Sequence, residues 1–216
     1  MKPYKTVLFD LDGTLTDPGL GITNSVKVAL EQFEIHVEDN RELYPFVGPP
    51  LIESFMKFYG LSREQTDVAI GYFREYFQDK GIFENVPYEG INTLLADLKA
   101  AGKTLVVATS KPEVFAKRIL ERFDLAQYFT FIAGANLDET RTLKSEVIEY
   151  ALNNIGPVTM SECVMVGDRE HDVLGAKVFG MDSIGVLYGY GSREEFEKAG
   201  ATYIAESVEA LRTFIL

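Results

Sequence analysis

The sequence predicts an α/β fold: a parallel sheet with helices on both faces, and an all-helical segment inserted near its start. Three observations carry this. From Tyr88 onward, apolar runs of strand length alternate with stretches of helical period, the order expected where helices connect parallel strands. One earlier strand-like run, Lys5 to Phe9, stands apart, because no strand pattern lies between Leu15 and Tyr88. Three of the runs also end in clustered polar residues: Asp10 with Asp12, Thr109-Ser110-Lys111, and Gly167-Asp168. The division implied is a core built from residues 1–15 and 89–216, with a helical insert over 16–88.

Composition narrows the classes of function. A chain of 216 residues can hold one large domain or a core with a smaller insert. At 46% hydrophobic and 25% charged it is globular, not disordered. No apolar run approaches the roughly 18 residues that span a bilayer. Met1-Lys2-Pro3-Tyr4-Lys5 leads into an apolar run of about five residues, too short for the apolar region of a signal peptide. The single cysteine, Cys163, leaves no internal disulfide framework and fits a reducing compartment, so the cytoplasm is expected. A net charge of −12 argues against a nucleic-acid polymer and an anionic membrane as partners. It is compatible with a small anionic substrate, since a metal and a few local cations can reverse the sign inside a cleft. Either a monomer or a homodimer is expected.

Taken in order, Lys5 to Phe9 is a buried strand with Asp10 at its carboxyl end. Gly21 to Phe33 has helical spacing, with Ile22, Val26, Ala29, Leu30 and Phe33 on one face. Pro49 and Pro50 exclude a helix interior, and a second helix starts there, carrying Leu51, Phe55, Phe58 and Tyr59. Ser62 caps a third, which runs to about Gln78. Ile91, Leu94, Leu95 and Leu98 mark a helix closing at Ala101-Gly102; Thr104 to Ala108 is then a strand, with Thr109-Ser110-Lys111-Pro112 beyond its end. A helix through Phe115, Ile119 and Phe123, a strand at Phe131-Ile132-Ala133 and a helix from Thr142 to Asn153 follow. Cys163 to Val166 is a strand, and the next helix passes through Val173, Ala176 and Val178. Ser183–Leu187 and Tyr203-Ile204 are strands; Arg193–Ala199 and Val208–Leu216 are helices.

Ligands of open parallel sheets bind beyond the carboxyl ends of the strands, so the three polar ends would share one crevice. Several carboxylates in one place repel one another, and a cation is needed to keep them ionised. Oxygen ligands alone indicate a hard cation, magnesium, which usually keeps waters and takes a ligand from a substrate phosphate. The hydroxyls of Thr109 and Ser110, a strand-to-helix turn and Lys144 suit a phosphate. Taken singly, an acidic turn, a helix-capping Thr or a surface Lys would explain each; their joint arrangement favours a site.

Asp10-Leu11-Asp12-Gly13-Thr14, Thr109, Lys144 and Gly167-Asp168-Arg169-Glu170-His171-Asp172 resemble, in order and spacing, the four motifs of haloacid-dehalogenase superfamily phosphatases. The resemblance covers essentially the whole chain. It implies a Rossmann-like core with the helical insert as a C1 cap, and its texture is closest to the phosphoglycolate-phosphatase-like members, echoed by Val47-Gly48-Pro49-Pro50 and Thr109-Ser110-Lys111-Pro112. On this resemblance Asp10 is the nucleophile that forms an aspartyl-phosphate, and Asp12 is the general acid and then the base. Magnesium is held by the Asp10 side chain, the Asp12 carbonyl and Asp168, with Asp172 orienting metal-bound water. Thr109, Ser110, Lys111 and Lys144 form the phosphate-binding set.

Dehalogenases of the superfamily it resembles lack an acid two residues after the nucleophile, so on this resemblance Asp12 favours phosphoryl transfer over dehalogenation. The substrate implied is a small soluble phosphomonoester: phosphoglycolate first, then a nucleoside monophosphate, then a range of sugar phosphates. A phosphomutase is the alternative of the same fold, and a non-catalytic binding module the alternative of another class. Gly189-Tyr190-Gly191 lacks the third glycine of a dinucleotide fingerprint and is expected to be a flexible turn. His171 is a rim residue or, as the lesser alternative, touches substrate; His36 is placed in a loop, and Cys163 reads as a small hydrophobe. Arg169 either meets a substrate anion or pairs with a neighbouring acid. The aromatic stripes of Phe55, Phe58, Tyr59, Phe73, Tyr76 and Phe77 belong mainly to the core of the insert, with one or two able to line a pocket.

Overall fold

The computed structural model describes residues 4–138 and 140–216, so Met1, Lys2 and Pro3 of the expected lead-in lie outside the described residues. Its chain divides into two compact units, Met1–Thr16 with Pro87–Leu216, and Asp17–Val86.

The first unit is organised by β1 (Thr6–Phe9), whose four residues are all buried. A strand buried on both faces reads as a continuous apolar run, which is why Val7-Leu8-Phe9 shows no alternation. In chain order the other strands of its sheet are β4 (Thr104–Pro112), β5 (Phe131–Ala135), β6 (Cys163–Gly167), β7 (Asp182–Val186) and β8 (Tyr203–Ala205). They lie side by side as β5-β4-β1-β6-β7-β8, and every pairing is parallel. The crossover helices are α4 (Ile91–Ala100), α5 (Glu113–Arg122), α6 (Lys144–Asn154), α7 (Glu170–Val178) and α8 (Arg193–Ala199), and α9 (Val208–Ile215) closes the chain. Val147, Ile148 and Ala151 of α6 and Ala176 of α7 pack on Leu8, Val106, Ala133 and Met165 of the sheet. This apolar burial is the main favourable contribution to the fold, at roughly 25 cal/mol per Å² of surface removed from water. Phe9, the last residue of β1, is level with Val107 of β4 and Val166 of β6; β6 ends one residue further on, whereas β4 runs on to Pro112. Strand order reverses direction around β1, and the crevice at such a reversal is where open α/β sheets bind ligands.

The second unit holds α1 (Gly19–Glu31), α2 (Leu51–Tyr59) and α3 (Arg63–Asp79). Val26, Ala29 and Leu30 of α1 are fully buried, as the helical spacing requires. Phe46 sits edge-on to Phe55, with ring centroids 5.0 Å apart, and Phe73 stacks on Phe77 at 5.5 Å. Phe58 departs from its expected core role and is 42% exposed. Ser62 begins α3 with a capping box: its hydroxyl accepts from Gln65 N–H, and the Gln65 side chain accepts from Ser62 N–H.

Two expectations need correction. The stretch between Leu15 and Tyr88 is not free of strands, because β2 (Thr16–Asp17) and β3 (Val86–Pro87) form a two-stranded sheet. Two residues are too few to show a period of two. The strand expected to stop at Ala108 continues as β4 to Pro112, with its pairing to β5 shifted between Ala108 and Pro112. The shift breaks the apolar pattern, since Thr109, Ser110 and Lys111 occupy it. No helix among the described residues is long and apolar enough to cross a membrane.

Candidate active site

Beyond β1 the chain turns sharply. Asp10 N–H donates to the Val166 carbonyl at 2.9 Å, which ties the first acid to β6. Gly13 then turns the chain with φ +79°, and Thr14, Leu15 and Thr16 N–H all point to the Leu11 carbonyl. A Cβ at Gly13 would stand 2.0 Å from Asp168 Oδ2, so only glycine fits both the left-handed backbone and the approach of this acid.

Asp10, Asp168 and Asp172 each present a carboxylate oxygen within 4.8 Å of the others, a group able to hold a metal ion. Asp168, just past β6, accepts from the backbone N–H of Tyr190 at 2.9 Å. Asp172, in the first turn of α7, accepts from Arg169 N–H at 3.1 Å. Lys144, the first residue of α6, lies 2.9 Å from Asp10 Oδ1 and 2.8 Å from Asp172 Oδ1, and donates to the Ala108 carbonyl at 3.1 Å. Asp10, Lys144, Asp168 and Asp172 each expose less than a tenth of their surface.

Asp12 is held apart from this triad. Its Oδ2 is 2.5 Å from Lys111 Nζ, while its Oδ1 is buried without a hydrogen-bond partner among the described residues. Thr109 is buried in the irregular stretch of β4 that also holds Lys111, and its hydroxyl oxygen accepts from Lys111 N–H at 3.2 Å. That leaves the Thr109 hydroxyl proton free to be donated elsewhere. Ser110 lies between them and is half-buried.

The electrostatics follow from burial. Asp168 is pushed well above the usual carboxylate range by burial first, and then by the charges of Asp10 and Asp172. Asp172 is raised to about 6, burial again leading while Lys144 opposes it. Burial also raises Asp12, against the pull of Lys111. Burial would lower Lys144, but Asp10 and Asp172 outweigh it and keep the ammonium charged. Three buried acids around one lysine form a cluster short of positive charge.

The remaining residues resolve individually. Arg169 pairs with Glu195 at 2.9 Å, which favours the neighbouring-acid reading. His171 is exposed on α7. Cys163 is buried, its Sγ donates to the Thr159 carbonyl at 3.3 Å, and burial pushes its thiol up. The turn at Gly189-Tyr190-Gly191 has a part that sequence reasoning missed. A Cβ at Gly189 would stand 2.2 Å from the Gly13 carbonyl and 2.4 Å from Asp168 Cβ, and Tyr190 supplies the amide that holds Asp168. Tyr188 adds a brace by donating from its hydroxyl to the Thr14 carbonyl at 3.1 Å. The signal available in the sequence was a pair of glycines shortly after a strand, read as a flexible turn and not as a place of close packing.

The family description of haloacid dehalogenase-like hydrolases matches residues 7–186. A protein named 5'-nucleotidase from Pseudomonas aeruginosa is 44% identical over 97% of this chain and 94% of its own. One named tyrosine-protein kinase PtkA from Mycobacterium tuberculosis is 41% identical over 95% of this chain and 70% of its own. The crystal structure of a predicted phosphatase from Clostridium acetobutylicum is 52% identical, covers 99% of this chain and 98% of that one, and superposes with a TM-score of 0.93.

Proposed function

Because the chain belongs to the haloacid dehalogenase-like hydrolase family and is a phosphatase of it, we propose that it hydrolyses small phosphomonoesters with magnesium through an aspartyl-phosphate on Asp10. The observation that carries this reading is the division of two nearby carboxyls between two lysines. Asp10 stands with Lys144 and the metal-capable triad, whereas Asp12 stands with Lys111. Two acids in unlike surroundings can take unlike roles, one as nucleophile and one as proton carrier.

The acids fit a hard dication. The buried triad offers only oxygen and has one lysine for three acids, and Asp168 is raised, by burial first and then by the charges of Asp10 and Asp172. Asp10 and Asp168 would hold magnesium with the Asp12 carbonyl, and Asp172 would stand behind them as a hydrogen-bond acceptor. When bound, magnesium offsets charge on the phosphoryl oxygens and aligns them for displacement.

Asp10 attacks phosphorus. A new Oδ–P bond forms as the ester P–O bond breaks, and the departing oxygen takes a proton from Asp12. Water then attacks the phosphoryl group, Asp12 takes the proton from that water, and Asp10 is released with inorganic phosphate. Lys144 and the Thr109 and Ser110 hydroxyls bind the phosphoryl oxygens, and Lys144 screens Asp10 from the anion it meets.

Substrate choice is assigned to the helical unit Asp17–Val86, acting as the cap. A nucleoside 5'-monophosphate moves ahead of the phosphoglycolate first expected, supported by the name of the 44% identical relative. A phosphomonoester panel ranked by kcat/KM with magnesium tests this, and equal rates across the panel would set the nucleotide assignment aside. Asp10→Asn is expected to lower hydrolysis of p-nitrophenyl phosphate by at least about 10³-fold; full turnover would sink the covalent route.

A further inference from the structure

Lys111 was expected to bind phosphate, yet its ammonium is engaged elsewhere. Lys111 Nζ lies 2.5 Å from Asp12 Oδ2, and the two side chains are only 6% and 15% exposed. Ion pairs shielded from water in this way hold their geometry, whereas surface pairs exchange freely. The other oxygen of the same carboxyl, Asp12 Oδ1, is buried with no hydrogen-bond partner among the described residues. The two oxygens are therefore unequal: one is anchored and one is unsatisfied.

Local backbone geometry explains how Lys111 reaches Asp12. Between Ala108 and Pro112 the chain of β4 advances four residues while its partner β5 advances two, from Ala133 to Ala135. Such irregularities re-aim side chains beside active sites. The Lys111 N–H donates to Thr109 Oγ1, fixing the irregular segment from within. Lys144 is already engaged with Asp10, Asp172 and the Ala108 carbonyl.

We propose that Lys111 is a positioning residue for Asp12: it anchors Oδ2 and leaves Oδ1 to pass the proton to the leaving oxygen. This rests on the phosphatase reading above. As Asp10 Oδ bonds to phosphorus and the ester P–O bond breaks, the proton on Asp12 moves to the departing oxygen. A poor leaving group needs that proton, and p-nitrophenolate needs it far less. A misplaced acid therefore harms poor leaving groups selectively, whereas a lost phosphate contact harms all esters alike.

The test is a series of substituted phenyl phosphates, from p-nitrophenyl to p-methoxyphenyl, with kcat/KM plotted against leaving-group pKa. Wild type should show a shallow slope. Lys111→Gln should lose less than about fivefold on p-nitrophenyl phosphate and about 30- to 100-fold on p-methoxyphenyl phosphate. Lys111→Arg keeps the charge at a different reach and should give an intermediate slope. On an Asp12→Asn background, Lys111→Gln should cost less than about twofold more, because the group it positions is gone. That double variant buries no lone charge at the pair, so it stays measurable if Lys111→Gln alone unfolds. A uniform loss with raised KM along the series, or full additivity with Asp12→Asn, would overturn the proposal and return Lys111 to phosphate binding. No turnover by wild type would overturn the phosphatase reading and this proposal with it.

Discussion

Lys144 shows how one side chain can serve the fold and the chemistry together. Its ammonium is buried, yet it stays charged because Asp10 and Asp172 lie within 2.9 Å. Lys144→Met should therefore destabilise the metal-free protein at neutral pH by about 3–5 kcal/mol, the usual cost of leaving buried charge without its partner. Urea denaturation measures it, and a change under about 1 kcal/mol would contradict the pairing. Asp12→Asn should lower the rate by about 10²- to 10⁴-fold while metal affinity is retained, because the Asp12 carboxyl stands outside the triad. Loss of metal binding in that variant would place its side chain in the metal site.

At the scale of elements, the turns after the strands do more than connect. The turn at Gly13 and the turn holding Gly189 and Tyr190 enclose Asp168 from two sides. Gly13→Ala must displace the Asp168 carboxylate and strain a left-handed backbone, so metal affinity should fall by about 10- to 100-fold, measurable by calorimetric titration. Ser62 is the contrasting case, an exposed cap far in sequence from these motifs. Ser62→Ala should cost about 1 kcal/mol of stability, because two amides at the start of α3 lose their arrangement. Hydrolysis of p-nitrophenyl phosphate should be unaffected.

For the whole molecule, the acid cluster makes stability depend on pH and metal together. Asp172 is raised to about 6 and Asp168 is raised as well. Between about pH 4, where such acids titrate when unfolded, and these raised values, the folded state binds more protons than the unfolded state. Metal-free stability from these groups therefore falls as pH rises through that window, and the full cost is present above it. Magnesium offsets this cost where the acids are ionised. At about 100-fold excess over its Kd it should raise Tm by about 5–10 °C at pH 7.5. At pH 5 and the same magnesium concentration the gain should be clearly smaller, because protons compete for the same oxygens. Equal gains by calorimetry at both pH values would separate the metal from the triad.

The α/β class and the strand ends before Asp10 and Asp168 were legible in the sequence, because buried parallel strands are written as contiguous apolar runs and polar residues interrupt them abruptly; the same cue failed at Thr109, where β4 carries its polar residues on to Pro112. The start of α3 was legible too, since Ser62 and Gln65 form a local device within four residues. What tertiary structure decided was which charges meet. Lys111 and Asp12 are 99 positions apart, and no local pattern says that an irregular end of β4 turns one toward the other. The same holds for Gly189 and Tyr190, whose task is to admit and tether an acid 22 residues earlier in the chain. Periodicity reports burial along a chain; the pairing of buried charges depends on strand order and register, which exist only once the sheet has formed.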